Sequence, residues 1–306
     1  MKMSIYVNDI RELVGNTPML KINNFNIKNG VNIFAKLEYL NPAGSVKDRI
    51  GVYMIEKAEE EGILKRGHTI IEATAGNTGL GVALGAINKG YKVIFVVPEK
   101  FSIEKQVLMR ALGVEIINTP RELGMQGAIE KSQELLNQIP NSISLKQFEN
   151  GANPEAHYIT TGPEIYLSLG DQIDYFVAGA GSGGTFTGIA KYLKEKNPNV
   201  KAVLADPIGS TIGGGEEGCY NIEGIGNNFI PGTMDIELVD HTIKVNDEES
   251  FKMVKELARK EGVIVGSSSG AAMAAALKLA ETIDSGNIVT VFPDRGDRYF
   301  SKNIYD

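Results

Sequence analysis

Cysteine and histidine are scarce in this sequence. It has one cysteine, Cys219, and three histidines, at positions 68, 157 and 241, far apart along the chain. A single cysteine excludes an internal disulfide framework and suits a reducing compartment. The histidines show no metal-ligand spacing, so we predict that the protein binds no metal.

Long apolar runs and an excess of positive charge are also missing. No stretch reaches membrane-spanning length, and residues 1–13 lack the apolar core of a secretory signal. The formal net charge of -7 argues against nucleic acid or an anionic membrane as the main partner. We therefore expect a cytoplasmic protein that acts on small molecules, with no nucleic acid and no membrane as partner.

Apolar, β-branched runs alternate with amphipathic stretches along all 306 residues. This alternation predicts an α/β fold with two three-layer α/β/α domains and mostly parallel, twisted sheets. Strands are predicted at residues 31–37, 69–73, 92–97, 114–118, 173–178, 200–205, 263–265 and 288–292. Helices are predicted at residues 46–61, 78–89, 103–112, 126–138, 155–169, 185–196, 247–261 and 269–283.

Breaks in this pattern near Gly44 and at residues 148–154 predict the domain boundaries. The prediction is a smaller N-terminal α/β domain at residues 46–150. Residues 1–45 and 151–306 are predicted to form a larger α/β domain.

Lys47 occupies a position that suits a catalytic lysine. It follows the turn Asn41-Pro42-Ala43-Gly44 and a candidate N-cap, Ser45, with Asp48 three residues later as in a capping box. Lys47 then falls in the first turn of a helix, where unpaired N–H groups and the helix dipole disfavour a cation. Such a position favours the neutral amine that a Schiff-base lysine needs, and an ordinary surface lysine is the alternative.

A glycine-rich loop, Gly179-Ala180-Gly181-Ser182-Gly183-Gly184-Thr185, follows a predicted strand and opens a helix. Small residues let successive N–H groups point into one concavity at a helix N-terminus, so the loop suits a phosphate. Its glycines also match G-x-G-x-x-G, and Asp206 ends a strand about 20 residues on, as in dinucleotide-binding proteins. A NAD-dependent oxidoreductase is therefore one alternative, and a tight turn with nothing bound is another.

Two further loops lie at predicted strand ends. Thr74-Ala75-Gly76-Asn77-Thr78-Gly79 collects short polar side chains at a helix N-terminus, which suits a carboxylate, with plain N-capping as the alternative. Gly266-Ser267-Ser268-Ser269-Gly270 offers hydroxyls that can bond a ring nitrogen or cap a helix. It also contains G-x-S-x-G, but no histidine follows His241, so we set a serine hydrolase aside.

These loops, with Asn41-Pro42 and Ser45-Val46-Lys47-Asp48-Arg49, occur in the order and spacing of one family. The chain resembles the cysteine synthase/cystathionine β-synthase family from Ile10 to Tyr299. The resemblance implies the tryptophan-synthase-β-like fold, which is fold type II of the enzymes that use pyridoxal 5'-phosphate. It also implies that cofactor, held in the cleft between the two domains, and a homodimer.

The resemblance implies roles for single residues. Lys47 corresponds to the lysine that carries the cofactor as a Schiff base and removes the Cα proton of the substrate. The loop Gly181-Ser182-Gly183-Gly184-Thr185 corresponds to the phosphate loop. Ser268 corresponds to the partner of the pyridine nitrogen, with its two neighbouring serines as alternatives, and Asn77 to the side chain on the ring oxygen.

The resemblance also implies a substrate-carboxylate site made of Thr74, Ala75, Asn77, Thr78 and Gln147. Ala75 replaces the serine that is usual in this motif, which removes one hydroxyl. The implied reaction is ping-pong: an amino acid loses a β leaving group, and a sulfide or thiol then adds at the same carbon.

Other segments resemble the cystathionine β-synthase branch, namely 98–105 and Glu223-Gly224-Ile225-Gly226, with Gly224 in the substrate site. Lys100 and Glu223 could hold the carboxylate and ammonium of an amino-acid thiol, or be solvated surface charges. Asn227-Asn228 replaces a small or aromatic pair, and it could change the acceptor if it faces the second-substrate pocket.

We therefore predict a β-replacing transferase or lyase of sulfur amino-acid metabolism that acts on O-acetylserine, serine or cysteine. The acceptor is sulfide or an amino-acid thiol. If cysteine is the first substrate, hydrogen sulfide leaves, and the product is lanthionine or serine. The alternatives are a plain O-acetylserine sulfhydrylase, a serine or threonine deaminase and, outside this class, a NAD-dependent oxidoreductase.

Overall fold

A computed structural model describes residues 6–74, 76–99 and 102–305 of the chain. The alternation of strands and helices confirms the predicted α/β class. The strands are β1 (Met19–Lys21), β2 (Val31–Leu37), β3 (Thr69–Ala73), β4 (Lys92–Pro98), β5 (Glu115–Thr119), β6 (Ser142–Ile143), β7 (Tyr175–Ala178), β8 (Lys201–Pro207), β9 (His241–Val245) and β10 (Gly286–Phe292).

The α-helices fall close to the amphipathic stretches. They are α1 (Lys47–Glu60), α2 (Asn77–Ala86), α3 (Ile103–Ala111), α4 (Gly124–Gln138), α5 (Ala152–Ala156), α6 (Gly162–Leu169), α7 (Gly184–Lys196), α8 (Asp247–Glu261) and α9 (Ser267–Thr282). Among the described residues, none of the helices is both long and apolar enough to span a bilayer.

The chain divides into two compact units, each with its own sheet. The first unit comprises Met1–Val14 and Asn41–Ala152, and the second comprises Gly15–Leu40 and Asn153–Asp306. Among its described residues, the segment before Val14 groups with the first unit, and Arg11 Nη1 donates there to Gly85 O at 3.2 Å. The sequence-based boundaries placed this segment with the larger domain instead.

The first unit holds a four-stranded parallel sheet in the order β5-β4-β3-β6. Its central strand β4 is buried from Val93 to Pro98, as expected for a parallel strand covered on both faces. The second unit holds a six-stranded sheet in the order β1-β2-β10-β7-β8-β9, in which only the β1–β2 pair is antiparallel.

The differences from the predicted elements lie at sheet edges and at one irregular helix. Strands β1, β6 and β9 were missed because they are short or only partly buried edge strands without a continuous apolar run. The strand predicted at 263–265 forms only an isolated bridge between Val265 and Arg295. The helix predicted at 155–169 is interrupted by a π-helical turn, His157–Thr161.

Candidate active site

Lys47 is the first residue of α1 in the first unit. The N-cap is Val46, one residue later than predicted, and its side chain makes no capping hydrogen bond. Ser45 is buried beside the N-cap, and its hydroxyl accepts the Lys47 N–H at 3.2 Å. The carboxylate of Asp48 accepts from Ala43 N at 2.6 Å and from the Ser45 hydroxyl at 3.2 Å. These bonds fix the backbone of Lys47 against the preceding turn.

Helices α1 and α2 cross through their glycines. A Cβ atom on Gly81 would lie 2.1 Å from Lys47 O, and one on Gly51 would lie 2.1 Å from Gly81 C. Only glycine permits this backbone-to-backbone contact. Because Gly81 lies one turn after Asn77, the crossing places the Lys47 backbone beside the N-terminal end of α2.

The carboxylate loop, residues 74–79, connects β3 to α2. The N-cap of α2 is Gly76, which makes no side-chain capping bond, so the first N–H groups of α2 can serve an anion. Thr74 and Thr78 are buried, and the Thr78 hydroxyl donates to Gln147 Oε1 at 2.6 Å. The structure thus joins Thr78 to a residue 69 positions away. Ala75 lies outside the described residues.

The phosphate loop, residues 181–185, connects β7 to α7 in the second unit. The N-cap of α7 is Gly183, with φ of 86° and no side-chain capping bond. A Cβ on Gly181 would lie 2.3 Å from Gly224 O, and one on Gly184 would lie 2.1 Å from Asn153 Oδ1. The loop is therefore a compact cradle at an uncapped helix N-terminus, and its residues fit the phosphate of pyridoxal phosphate.

Two fully buried side chains that the sequence analysis missed support this loop. Asn153 Nδ2 donates to the Ser182 hydroxyl at 2.9 Å. The ring of His157 contacts Thr185 Oγ1 at 3.1 Å through Nε2 and Thr161 Oγ1 at 2.8 Å through Nδ1. His157 begins the π-helical turn, an irregularity that is frequent at functional sites. The local sequence carries no signal for these contacts, which span about 30 positions.

Asn227 also contacts the phosphate loop, through its side chain. Its Nδ2 donates to Gly181 O at 2.6 Å. Asn228 donates instead to Glu217 Oε1 at 3.0 Å, in an exposed contact. The Asn227 amide therefore has a role in holding Gly181, which differs from the acceptor-pocket role considered from the sequence.

Glu223 precedes Gly224 on the segment that packs against the phosphate loop. Its N–H donates to the Ser267 hydroxyl at 3.0 Å, and its carboxylate lies 3.6 Å from Lys302 Nζ. The Glu223 side chain is partly exposed. Lys100, the other charge assigned to an amino-acid thiol, lies outside the described residues.

The serine run begins α9, with Gly266 as the N-cap. The Ser267 hydroxyl accepts from Glu223, whereas the buried Ser269 hydroxyl has no hydrogen-bond partner among the described residues. Ser268 is 4% exposed. A hydroxyl that accepts a hydrogen bond can still donate its own proton, so all three serines stay candidates for a ring nitrogen, and Ser269 is the one whose hydroxyl has no partner among the described residues.

A buried acid and a tyrosine pack against the start of α9. A Cβ on Gly266 would lie 2.3 Å from Asp294 Oδ1, and the Tyr299 hydroxyl donates to the Asp294 carboxylate. Burial, together with the Asp294 charge, raises the pKa of Tyr299 well above its usual value. Tyr299 therefore stays a neutral donor and fixes Asp294. The sequence analysis missed this pair.

Asp206 is used in a way that contradicts the dinucleotide alternative. It ends β8 as predicted, but it is fully buried. Its Oδ2 accepts from Lys244 Nζ at 2.6 Å and from Gly213 N at 3.0 Å. A carboxylate that binds a ribose must face the ligand, whereas the Asp206 carboxylate accepts hydrogen bonds inside the second unit.

Comparison with known proteins agrees with this geometry. The profile of the pyridoxal-phosphate dependent enzyme family matches residues 10–294. The chain belongs to this family. Pyridoxal phosphate is therefore its cofactor, and the predictions of a pyridoxal-phosphate enzyme and of its fold type are confirmed.

The family members most informative about activity are similar over nearly the whole chain. An O-acetylserine dependent cystathionine β-synthase from Bacillus subtilis is 54% identical over 98% of both chains. The crystal structure of an O-acetylserine dependent cystathionine β-synthase from Helicobacter pylori has a TM-score of 0.94 at 49% identity, covering 99% of this chain and 100% of that one. A hydrogen sulfide-producing enzyme from Fusobacterium nucleatum has a TM-score of 0.92 at 42% identity, covering 96% and 100%.

Proposed function

We propose that this enzyme catalyses β-replacement: it removes the β substituent of O-acetylserine or a related amino acid and adds sulfide or an amino-acid thiol. The observation that carries the proposal is the crossing of α1 and α2, which sets the Lys47 backbone against the helix that begins with the carboxylate loop. An amine that moves a proton and a carboxylate-binding helix end suit an α-amino acid.

Each element of the site has a proposed task. Pyridoxal phosphate supplies, when bound, the electron sink that stabilises negative charge at Cα. Lys47 binds the cofactor and moves the proton at Cα, while Asn77, Thr78 and Gln147 hold the substrate carboxylate. The phosphate loop anchors the cofactor phosphate, and Ser268 contacts the ring nitrogen.

The acceptor is proposed to be sulfide or an amino-acid thiol whose ammonium contacts Glu223. The named activity of the Bacillus subtilis relative supports O-acetylserine as the first substrate. The similarity to a hydrogen sulfide-producing enzyme supports cysteine as a second candidate for the first substrate. In that reaction sulfide leaves the β-carbon, and a second cysteine or water adds to it.

Product analysis tests the proposal. The purified holoenzyme is mixed with O-acetylserine plus sulfide, with O-acetylserine plus homocysteine, and with cysteine alone. We expect cysteine from the first mixture and cystathionine from the second, and sulfide with lanthionine or serine from the third if cysteine is also a first substrate. Lys47→Ala is the control and should be inactive in all three. Cofactor-loaded enzyme that forms no C–S bond in any mixture would show the proposal to be wrong.

We also propose a cytosolic homodimer, by family resemblance. The described N-terminal segment exposes large apolar side chains, among them Tyr6 at 75%, Ile10 and Leu13, and a second copy could cover them. Light scattering coupled to size-exclusion chromatography measures the assembly, and a monomeric mass would refute the dimer.

A further inference from the structure

Glu72 is a carboxylate that the proposed mechanism does not use. It is the fourth residue of β3, after three buried residues, and its side chain is partly buried. Strand β6 pairs in parallel with β3, so the segment after β6 leaves the sheet at the same edge as the carboxylate loop. This arrangement brings Glu72 to residues 144–147.

The Glu72 carboxylate bonds a turn rather than another charge. Its Oε1 accepts from Leu145 N and, at 3.1 Å, from the Ser144 hydroxyl. The next residue, Lys146, has φ of 51°, a left-handed conformation that is unfavourable for lysine. Lys146 O in turn accepts from Glu149 N and Asn150 N, both at 2.9 Å. The turn is therefore strained at Lys146, and the Glu72 carboxylate accepts hydrogen bonds from the two residues just before it.

Gln147 directly follows the strained Lys146, and its Oε1 accepts from the Thr78 hydroxyl at 2.6 Å. We propose that Glu72 is a positioning residue, whose bonds to the 144–146 turn hold Gln147 against the carboxylate loop for substrate binding. This inference rests on the proposed function, because it assumes that the loop binds the carboxylate of an amino acid.

Burial of Glu72 supports this assignment. Burial raises the pKa of Glu72 to about 7, against the hydrogen bonds from Leu145, Ser144 and the Lys146 backbone, which lower it. A carboxylate that is partly buried at the cost of its charge needs a compensating role, and the groups that donate hydrogen bonds to Glu72 lie on this turn.

Substitutions of Glu72 test the proposal. Glu72→Met keeps the length of the side chain and removes both acceptors, so KM for O-acetylserine should rise about tenfold while kcat changes little. Glu72→Gln keeps Oε1 and should retain the wild-type KM. Glu72→Asp shortens the side chain and withdraws the carboxylate from the turn, so it should also raise KM. This variant replaces Glu72→Met in the test if the methionine variant does not fold. Glu122→Met, at an exposed carboxylate of the first unit outside this turn, is the matched control and should change nothing.

A rescue separates positioning from general stability. Lys146→Asn accepts the left-handed conformation more readily, so adding it to Glu72→Met should restore part of the lost affinity. Amide hydrogen exchange at Leu145 and Gln147, measured without substrate, should be faster in Glu72→Met than in the wild type. Wild-type exchange and wild-type KM in Glu72→Met would overturn the proposal. If Gln147→Ala also left KM unchanged, the assigned carboxylate site itself would be wrong.

Discussion

An alanine at position 81 tests whether the helix crossing controls the position of Lys47. The new Cβ would lie 2.1 Å from Lys47 O and 2.7 Å from Lys47 C. Both partners are backbone atoms, which cannot rotate away as a side chain can. Helices α1 and α2 must therefore separate by roughly 1 Å to restore an ordinary contact.

Two opposing effects determine how much Gly81→Ala changes the free energy of unfolding. Overpacking a buried contact costs about 3 kcal/mol at the upper end of its usual range. Alanine favours the helix over glycine by about 1 kcal/mol. We therefore expect a net destabilisation of about 2 kcal/mol. A displacement of roughly 1 Å at a reacting group lowers turnover by about 100-fold, so the kcat of the folded enzyme should fall by about that factor.

The measurements are urea unfolding of the holoenzyme, the visible absorbance of the lysine-bound cofactor, and kcat with O-acetylserine and sulfide. A Cβ on Gly85 would approach Gly51 O at 2.9 Å, so Gly85→Ala should show a smaller effect. Gly151→Ala is the control, since its Cβ would have no heavy atom within 4 Å. Wild-type stability and turnover in Gly81→Ala would refute the reasoning.

Three further predictions concern single side chains. Because the pKa of Glu72 is raised from 4.5 to about 7, its protonated form stabilises the fold at low pH, and this stabilisation is lost as the pH rises to 7. The unfolding free energy of wild type should therefore fall by about 3 kcal/mol more than that of Glu72→Gln between pH 4 and 8, and parallel profiles would contradict this. Asn227→Ala removes the bond to Gly181 and should speed cofactor loss on dialysis, whereas Asn228→Ala should not; equal loss would exclude a role for Asn227. Glu223→Gln should raise KM for homocysteine but not for sulfide, and an equal rise for both would remove Glu223 from the acceptor site.

The motifs and the element order could be read from local sequence. Apolar runs predicted the buried strands β4 and β8, because a parallel strand covered on both faces leaves a continuous apolar signature. Glycines at strand ends predicted the loops, because close backbone approach excludes side chains. Lys47 was located from its turn and helix start, although the cap itself was placed one residue too early.

What the sequence by itself determined is therefore the α/β class and the glycine- and serine-rich loops, since each depends on neighbouring residues. The cofactor followed from the resemblance of those loops to one family. Tertiary structure decided which distant side chains serve those loops: Gln147 beside Thr78, His157 beside Thr185, and Asn227 on Gly181. These contacts span 28 to 69 positions. No local periodicity encodes them, because strand order and register, which bring separate loops to one edge of a sheet, arise only when the whole unit packs.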